Sequence, residues 1–406
     1  MCCWLSIFGR QSIILVMIKL IKTTFYNEQD TKNKLVKFIQ EADMLSFGPE
    51  CNKFEENFAK WQGRKYCVFV NSGSSANLAI IQALLNLGRL NKGDKVGVST
   101  LTWSTNVMPL IELGLEVVPI DVELDTLNVS SKKFSESLKV NDIKMLFITN
   151  LLGFCDDIDE IRKICDDQNI ILAEDNCESL GTVYKGEKLG NFGLASTFSF
   201  YVGHHMSTIE GGAVCTDDEE VATMLRLVRA HGWDRNLAEK AQQAIRTKHD
   251  VNSTFYSRYT FYDLGYNLRP TEINGFIGNT QIPYLDEIIE KRRDTFHKLA
   301  EKIYARDDLF YPVKYDHIDL LSNFAVPIVC RSKKIRDDLV AKCDGIIELR
   351  PIVGGDMTKQ PFFSKYQDAT LVDSNAGLIH EQGLYFGNNP ELTEEEKLQI
   401  ITIFTV

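Results

Sequence analysis

The chain has no long run of lysines and arginines, no Cys-x-x-Cys pair, no long polar tract and no apolar stretch of bilayer length. Each absence removes a class of protein. Lys and Arg number 45 against 56 Asp and Glu, a formal charge of −11. Without clustered cations a chain grips phosphate backbones poorly, so nucleic acid is not an expected partner. The most apolar N-terminal run, IILVMIKLI at 13–21, is broken by Lys19 and too short to span a membrane. Arg10 precedes it, but no small-residue cleavage site follows, which argues against a signal peptide. Aromatics at 10% and hydrophobic residues at 44% describe a folding chain rather than a disordered one. The ten cysteines, at 2, 3, 51, 67, 155, 165, 177, 215, 330 and 343, are scattered, and some sit in apolar runs such as Tyr66-Cys67-Val68-Phe69-Val70. That spacing predicts reduced, buried thiols and a cytoplasmic protein.

What is present is an alternation of short β-branched runs with helical stretches. Strands are expected at 67–70, 95–99, 116–120, 145–149, 170–173, 196–200 and 213–216, with helical segments such as 75–87 and 158–168 between them. Apolar strands alternating with helices predict a mainly parallel sheet covered by helices. Beyond Tyr266-Asn267-Leu268-Arg269-Pro270 the pattern changes to a helical stretch over 271–303, shorter strands at 325–329 and 348–349, and a helix from Thr393. The expected organisation is an N-terminal extension (1–26), a large α/β domain (27–270) and a smaller α+β domain (271–406). Met17 opens MIKLIKTTFYNEQD, which reads as a natural start, so 1–16 is expected to have no role in the fold.

Three segments carry candidate chemistry. Asn71-Ser72-Gly73-Ser74-Ser75-Ala76-Asn77 follows a strand and opens a helix. It reads either as an anion cradle of backbone N–H groups or as a plain N-cap turn. Ile170 to Glu178 puts Asp175 at the carboxyl end of a buried strand, the edge where open α/β sheets bind ligands. There it can pair with a protonated ring nitrogen or cap a following helix. Trp103 follows another strand and is either a stacking platform or core.

The segment Thr197-Phe198-Ser199-Phe200-Tyr201-Val202-Gly203-His204-His205-Met206-Ser207-Thr208-Ile209-Glu210-Gly211-Gly212, together with NSGSSAN and EDNCES, resembles the sugar-nucleotide aminotransferases. These are pyridoxal-phosphate enzymes of the aspartate-aminotransferase fold (fold type I). Where that family carries the lysine that binds the cofactor covalently, six residues before Glu210, this chain has His204. Imidazole has no primary amine, but it moves protons near neutral pH. The departure narrows the resemblance to the histidine-bearing 3-deoxysugar dehydratases. AHGWDRNL (230–237), GYNLRP (265–270), RPIV (350–353) and GLYFGN (383–388) extend it over most of the chain.

The resemblance implies the following. His204 is the acid–base catalyst. Gly73, Ser74 and Ser199 bind the cofactor phosphate, Trp103 stacks on the ring, Asp175 meets its nitrogen and Glu178 its phenolic oxygen. Asn267 reaches the cofactor of a neighbouring subunit in a homodimer with shared sites. His231, Arg235 and Arg269 are candidates for binding glutamate or substrate, or else ordinary structural polar residues, and His205 is a neighbour of the base. The reaction implied is loss of the C3 hydroxyl from a 4-keto-6-deoxy sugar nucleotide, GDP-4-keto-6-deoxy-D-mannose first. L-glutamate would regenerate pyridoxamine phosphate, in colitose-type deoxysugar synthesis for surface polysaccharide. A CDP- or dTDP-linked substrate, or 4-amination, are the alternatives. A related CDP-sugar branch carries a [2Fe–2S] cluster on cysteines grouped after the histidine. Here none occurs between Cys215 and Cys330, so no iron–sulfur cluster is expected. Asp217-Asp218-Glu219 reads as a solvated helix start, and no metal or membrane partner is expected.

Overall fold

A computed structural model of the chain describes residues 17–368 and 371–406. The expected extension 1–16, with Cys2 and Cys3, lies outside them. Seven strands form the main sheet: β1 (Tyr66–Val70), β2 (Lys95–Ser99), β3 (Glu116–Ile120), β4 (Ile143–Thr149), β5 (Ile171–Asp175), β8 (Ala195–Ser199) and β9 (Gly212–Thr216). The small hairpin of β6 (Val183–Tyr184) and β7 (Glu187–Lys188) lies between β5 and β8 in sequence. The order is β1-β9-β8-β5-β4-β2-β3. All neighbours are parallel except β9, which runs antiparallel to both β1 and β8. Parallel strands deliver their carboxyl ends to one edge, and the reversed β9 begins there. The segments after β1, β2, β4, β5 and β8 and the one before β9 therefore converge.

Side-chain alternation along β8 shows how the sheet orients that edge. Phe198 and Phe200 are fully buried in an aromatic cluster with Phe54, Phe58 and Phe69, at ring distances of 4.4–5.7 Å. Ser199, between them, points the other way, toward Gly73. Along β5, Glu174 is fully buried and accepts hydrogen bonds from Gly190, Phe192 and Gly193 N–H (2.7–2.8 Å). Its neighbour Asp175 faces the convergence point.

A second sheet, β10-β11-β13-β12, is built from β10 (Phe310–Tyr311), β11 (Ala325–Cys330), β12 (Leu349–Pro351) and β13 (Gly383–Gly387), all antiparallel. The helical stretch expected over 271–303 is made of two helices, Glu272–Gln281 and Leu285–Ile303, joined by a 3₁₀ turn at Ile282–Tyr284. Pro283 lacks the N–H that would continue the ladder.

Glu272 accepts hydrogen bonds from Glu50 and Cys51 N–H (2.9 and 3.0 Å) at the start of helix Pro49–Gln62. Gly275 and Gly278 let that helix approach so closely that added Cβ atoms would meet Cys51 N at 2.6 Å and Phe54 at 2.4 Å. Helix Glu272–Gln281 thus packs against the N-terminal helices beside the large sheet, although its sequence position suggests the smaller domain. Residues 17–26, grouped with the extension on sequence, are also built into the fold. Ile18 pairs with Ile347, and Leu20 N–H donates to Glu348 Oε2 (3.0 Å). Lys22 meets Glu396 at 2.6 Å.

Candidate active site

A cavity of about 350 Å³ opens at the convergent edge. Gly73, Ser74, Trp103, Asp175, Glu178, Ser199 and His204 all line it, although they come from the ends of four separate strands and the segments that follow them.

Its floor is the N-terminus of helix Gly73–Asn86. Ser72 caps this helix, accepting from Ser75 N–H at 3.0 Å. Capping and anion binding are therefore compatible: a helix leaves several first-turn N–H groups without internal acceptors. Those of Gly73 and Ser74 border the cavity. A Cβ on Gly73 would lie 2.7 Å from Ser199 Cβ, and one on Gly212 would lie 2.3 Å from Ser72 O. Only glycine allows strands β8 and β9 to meet the helix start this closely.

Asp175 is buried at one wall. Its Oδ2 accepts from Asn77 Nδ2 (3.0 Å) and Asn106 Nδ2 (2.7 Å), and its Oδ1 from Cys177 N–H (2.9 Å). No helix starts after it, so the capping alternative does not apply. Hydrogen bonds to a charged acceptor are roughly twice as strong as neutral ones, and these fix the carboxylate's direction. Asn77 and Asn106 hold Asp175, and sequence reasoning singled out neither. Asn77 lies inside the NSGSSAN motif, six residues past Asn71, but Asn106 had no motif to mark it.

Glu178 is held by one donor, Leu152 N–H at 2.9 Å. Burial pushes its carboxyl up to about 8, and the Asp175 charge adds to the rise. It is therefore protonated at neutral pH and able to donate a hydrogen bond to an oxygen.

His204 sits on the loop between β8 and β9. That loop is closed by Phe200 N–H to Gly211 O (2.9 Å) and Thr208 N–H to Phe200 O (2.8 Å). Its Nδ1 lies 2.6 Å from the Cys177 carbonyl, which accepts. That contact assigns the proton to Nδ1 and leaves Nε2 with a free lone pair. Burial pushes the imidazole down to about 4, and the positive charge of Arg292 adds to the shift. Phe324 packs on the ring at 5.1 Å. Next in sequence, His205 is buried and points elsewhere, its Nε2 bonded to Ser322 O at 3.0 Å. Leu20, Ile21, Phe324 and Tyr385 complete the wall. Tyr385 lies in the GLYFGN motif, but nothing local marks Leu20, Ile21 or Phe324, because each arrives from a distant part of the chain.

Trp103 is half-exposed at the cavity edge and is not core. His231, Arg235, Asn267 and Arg269 do not line the cavity. They gather around Trp233: Arg235 lies 4.1 Å and Arg269 5.6 Å from its ring, and His231 meets it edge-on at 4.9 Å. Arg269 Nε donates to Asn267 Oδ1 at 3.0 Å. Cys51, Cys67, Cys155, Cys165, Cys215, Cys330 and Cys343 are buried, with Cys67 facing Cys215 across β1 and β9. Among the described residues, no three His, Cys, Asp or Glu side chains gather as metal ligands, and no helix is long and apolar enough to cross a membrane. Asp218 accepts from Val221 N–H (3.0 Å) and caps helix Glu219–Arg229.

A phosphorylated pyridine fits these residues. The glycine-floored cradle takes a phosphate, the asparagine-clamped Asp175 suits a protonated ring nitrogen, and protonated Glu178 suits an oxygen anion. No lysine lines the cavity, so nothing there would bind such a cofactor covalently.

Sheet order, reversed strand and cofactor-shaped cavity together define an aminotransferase-fold enzyme of fold type I. The chain belongs to the DegT/DnrJ/EryC1/StrS aminotransferase family, whose model matches residues 26–405. It is 37% identical over 373 residues to the GDP-4-keto-6-deoxy-D-mannose 3-dehydratase of Escherichia coli O55:H7, covering 90% of this chain and 95% of that one. Among solved structures, an E. coli GDP-4-keto-6-deoxy-D-mannose-3-dehydratase with bound hydrated PLP superposes with a TM-score of 0.87 at 33% identity, covering 96% of this chain and all of that one. A GDP-4-keto-6-deoxymannose-3-dehydratase with a trapped PLP-glutamate geminal diamine gives 0.86 at 34% identity, over 95% of this chain and 100% of that one.

Proposed function

We propose that the chain is a pyridoxal-phosphate-dependent 3-dehydratase that removes the C3 hydroxyl of GDP-4-keto-6-deoxy-D-mannose, with L-glutamate restoring the pyridoxamine form of the cofactor. The observation that carries this reading is a histidine, held through Nδ1 with Nε2 free, in a cofactor cavity without lysine. When bound, pyridoxamine phosphate supplies an amine that condenses with a keto group and a ring that withdraws electrons.

The chain's own residues do the rest. Gly73 and Ser74 N–H groups and Ser199 Oγ hold the phosphate. Asp175 keeps the ring nitrogen protonated, and Glu178 donates to the phenolic oxygen. His204 Nε2, neutral at physiological pH, takes a proton from the carbon beside the amine. The resulting imidazolium then returns it to the departing C3 hydroxyl, which leaves as water. General acid–base help of this kind is worth roughly 10²–10⁴-fold. In the glutamate half-reaction the same nitrogen shuttles the proton again.

The finer features belong to the same proposal. His231, Arg235, Asn267 and Arg269 serve the site of a second subunit in a homodimer. Phe255, Tyr256, Tyr259, Phe261 and Leu264 beside them are exposed on one chain, as an interface would require. The product is a 4-keto-3,6-dideoxy sugar, made in the cytoplasm for colitose-type surface polysaccharide, with no iron–sulfur cluster.

The test is to incubate iron-free protein with pyridoxal phosphate, L-glutamate and GDP-4-keto-6-deoxy-D-mannose. Ammonia, 2-oxoglutarate and a product lighter by one water are expected. A stable 4-amino sugar would make the chain an aminotransferase. Turnover of CDP- or dTDP-linked sugars alone would reassign the nucleotide.

A further inference from the structure

Arg292, on helix Leu285–Ile303, is 4% exposed and has no acidic partner among the described residues. Its Nη1 donates to Phe324 O (3.1 Å) and Asn388 O (2.6 Å), and its Nη2 to His204 O (3.3 Å). All three acceptors are carbonyls, and Nε has no partner. Burying a cation is costly, and pairing it with carbonyl dipoles rather than a carboxylate leaves its charge uncompensated. Burial pushes its pKa down to about 9, so it stays charged at neutral pH.

The three carbonyls belong to the base itself, to the residue whose ring packs on the imidazole, and to the exit of β13. Asn388 closes the knot: its Nδ2 donates to Arg292 O (2.9 Å) and to Asn323 Oδ1 (2.8 Å), beside Phe324. We propose that Arg292 is a positioning residue for the proton transfer, fixing the His204 main chain and the Phe324 ring as one unit so that Nδ1 stays on the Cys177 carbonyl and Nε2 on the reacting carbon. This rests on His204 being the base.

Charge supports the geometry. Around the imidazole stand Asp175 at the end of β5, Cys177 and Glu178 just after it, and Tyr385 on β13. Its own loop adds Tyr201, His205 and Glu210. Of these groups the carboxylate of Asp175 favours the imidazolium, and Arg292 opposes it. Both His204 and His205 feel that opposition.

The test uses the full-length holoenzyme with ¹⁵N-labelled histidine, comparing the parent with Arg292→Met and Arg292→Lys. In Arg292→Met, kcat should fall at least tenfold with KM for the sugar nucleotide within about twofold. The acid limb of the pH–rate profile should move to higher pH, and the His204 nitrogen signals should lose the single Nδ1–H tautomer. Arg292→Lys keeps the charge but not the fork, so its acid limb should stay near the parent's while kcat falls. It also covers the case in which Arg292→Met does not fold. A parental Nδ1–H tautomer in whichever variant folds, with activity lost only in proportion to unfolding, would overturn the proposal, as would a parental acid limb in a folded Arg292→Met. The nitrogen spectra need no substrate, so they separate this failure from a wrong assignment of the reaction.

Discussion

Two groups of polar side chains in this protein are held in different ways. In the cavity, Asp175 has three N–H donors, Glu178 one, and His204 a main-chain carbonyl. Each is buried or half-buried and has one direction to point. Around Trp233, by contrast, Arg235 and Arg269 lean on an aromatic face, and Arg235 also on the exposed ring of Tyr259 at 4.6 Å. Cation–π contacts at such sites are worth about 0.5–1 kcal/mol. Arg235 also donates from Nε and Nη2 to the Arg258 carbonyl, which leaves Nη1 for other acceptors. The first group is complete in one chain. The second lies outside the cavity, and in the proposed homodimer it would serve a neighbouring subunit.

The sharpest break of this comparison is His204→Asn. Turnover should fall by about 10²–10⁴-fold, while cofactor absorbance and thermal stability persist; near-parental turnover would remove His204 from the chemistry. Next comes Asn267→Ala. If the second group serves a neighbouring subunit, this variant and His204→Asn should each be nearly inactive and regain activity when unfolded and refolded together. No recovery in the mixture would confine each site to one chain.

A smaller effect concerns the frame of the first group. Gly212→Ala drives a Cβ against Ser72 O and should cost on the order of 1–3 kcal/mol, read as a lowered Tm with weaker phosphate retention. Arg235→Ala removes exposed cation–π contacts worth about 0.5–1 kcal/mol each and should lower Tm by less, with phosphate retention unchanged. The last effect is titration. Glu178 ionises near 8 in the fold against 4.5 ordinarily, so the cofactor-free fold holds an extra proton between those values. Stability therefore falls as pH rises across that window and levels off above about 8. Glu178→Gln cannot ionise, and its Tm advantage over the parent should grow from pH 5 to 8 and then stay constant. A flat difference would mean that Glu178 is already charged at pH 5.

The parallel strands are legible in the sequence because each is a short apolar run bounded by turn residues. The residue order also carries their orientation, as Ser199 between two phenylalanines does. The cradle, Asp175 and the histidine are legible because contiguous motifs contain them. Asn106, Arg292, Phe324, Leu20 and Ile21 are not. Their roles depend on what lies across the cavity, and Arg292 meets His204 across 88 residues of chain. The break at Pro283 is hidden within an otherwise periodic helical stretch. The docking of 17–26 is hidden too, because its partners Ile347 and Glu348 lie more than 300 residues away. Local pattern announces elements and motifs; it is silent on which distant side chain will share a wall.

The loop that carries His204 leaves the sheet on β8 and returns on the neighbouring, reversed β9, so both of its ends are riveted to the same edge. It behaves as a socket. A different side chain seated at position 204 would meet the same phosphate cradle and the same Asp175 without any strand having to move. A family built on this frame can change the reaction it performs by changing what is plugged in, which makes the step between amination and dehydration a short one in sequence.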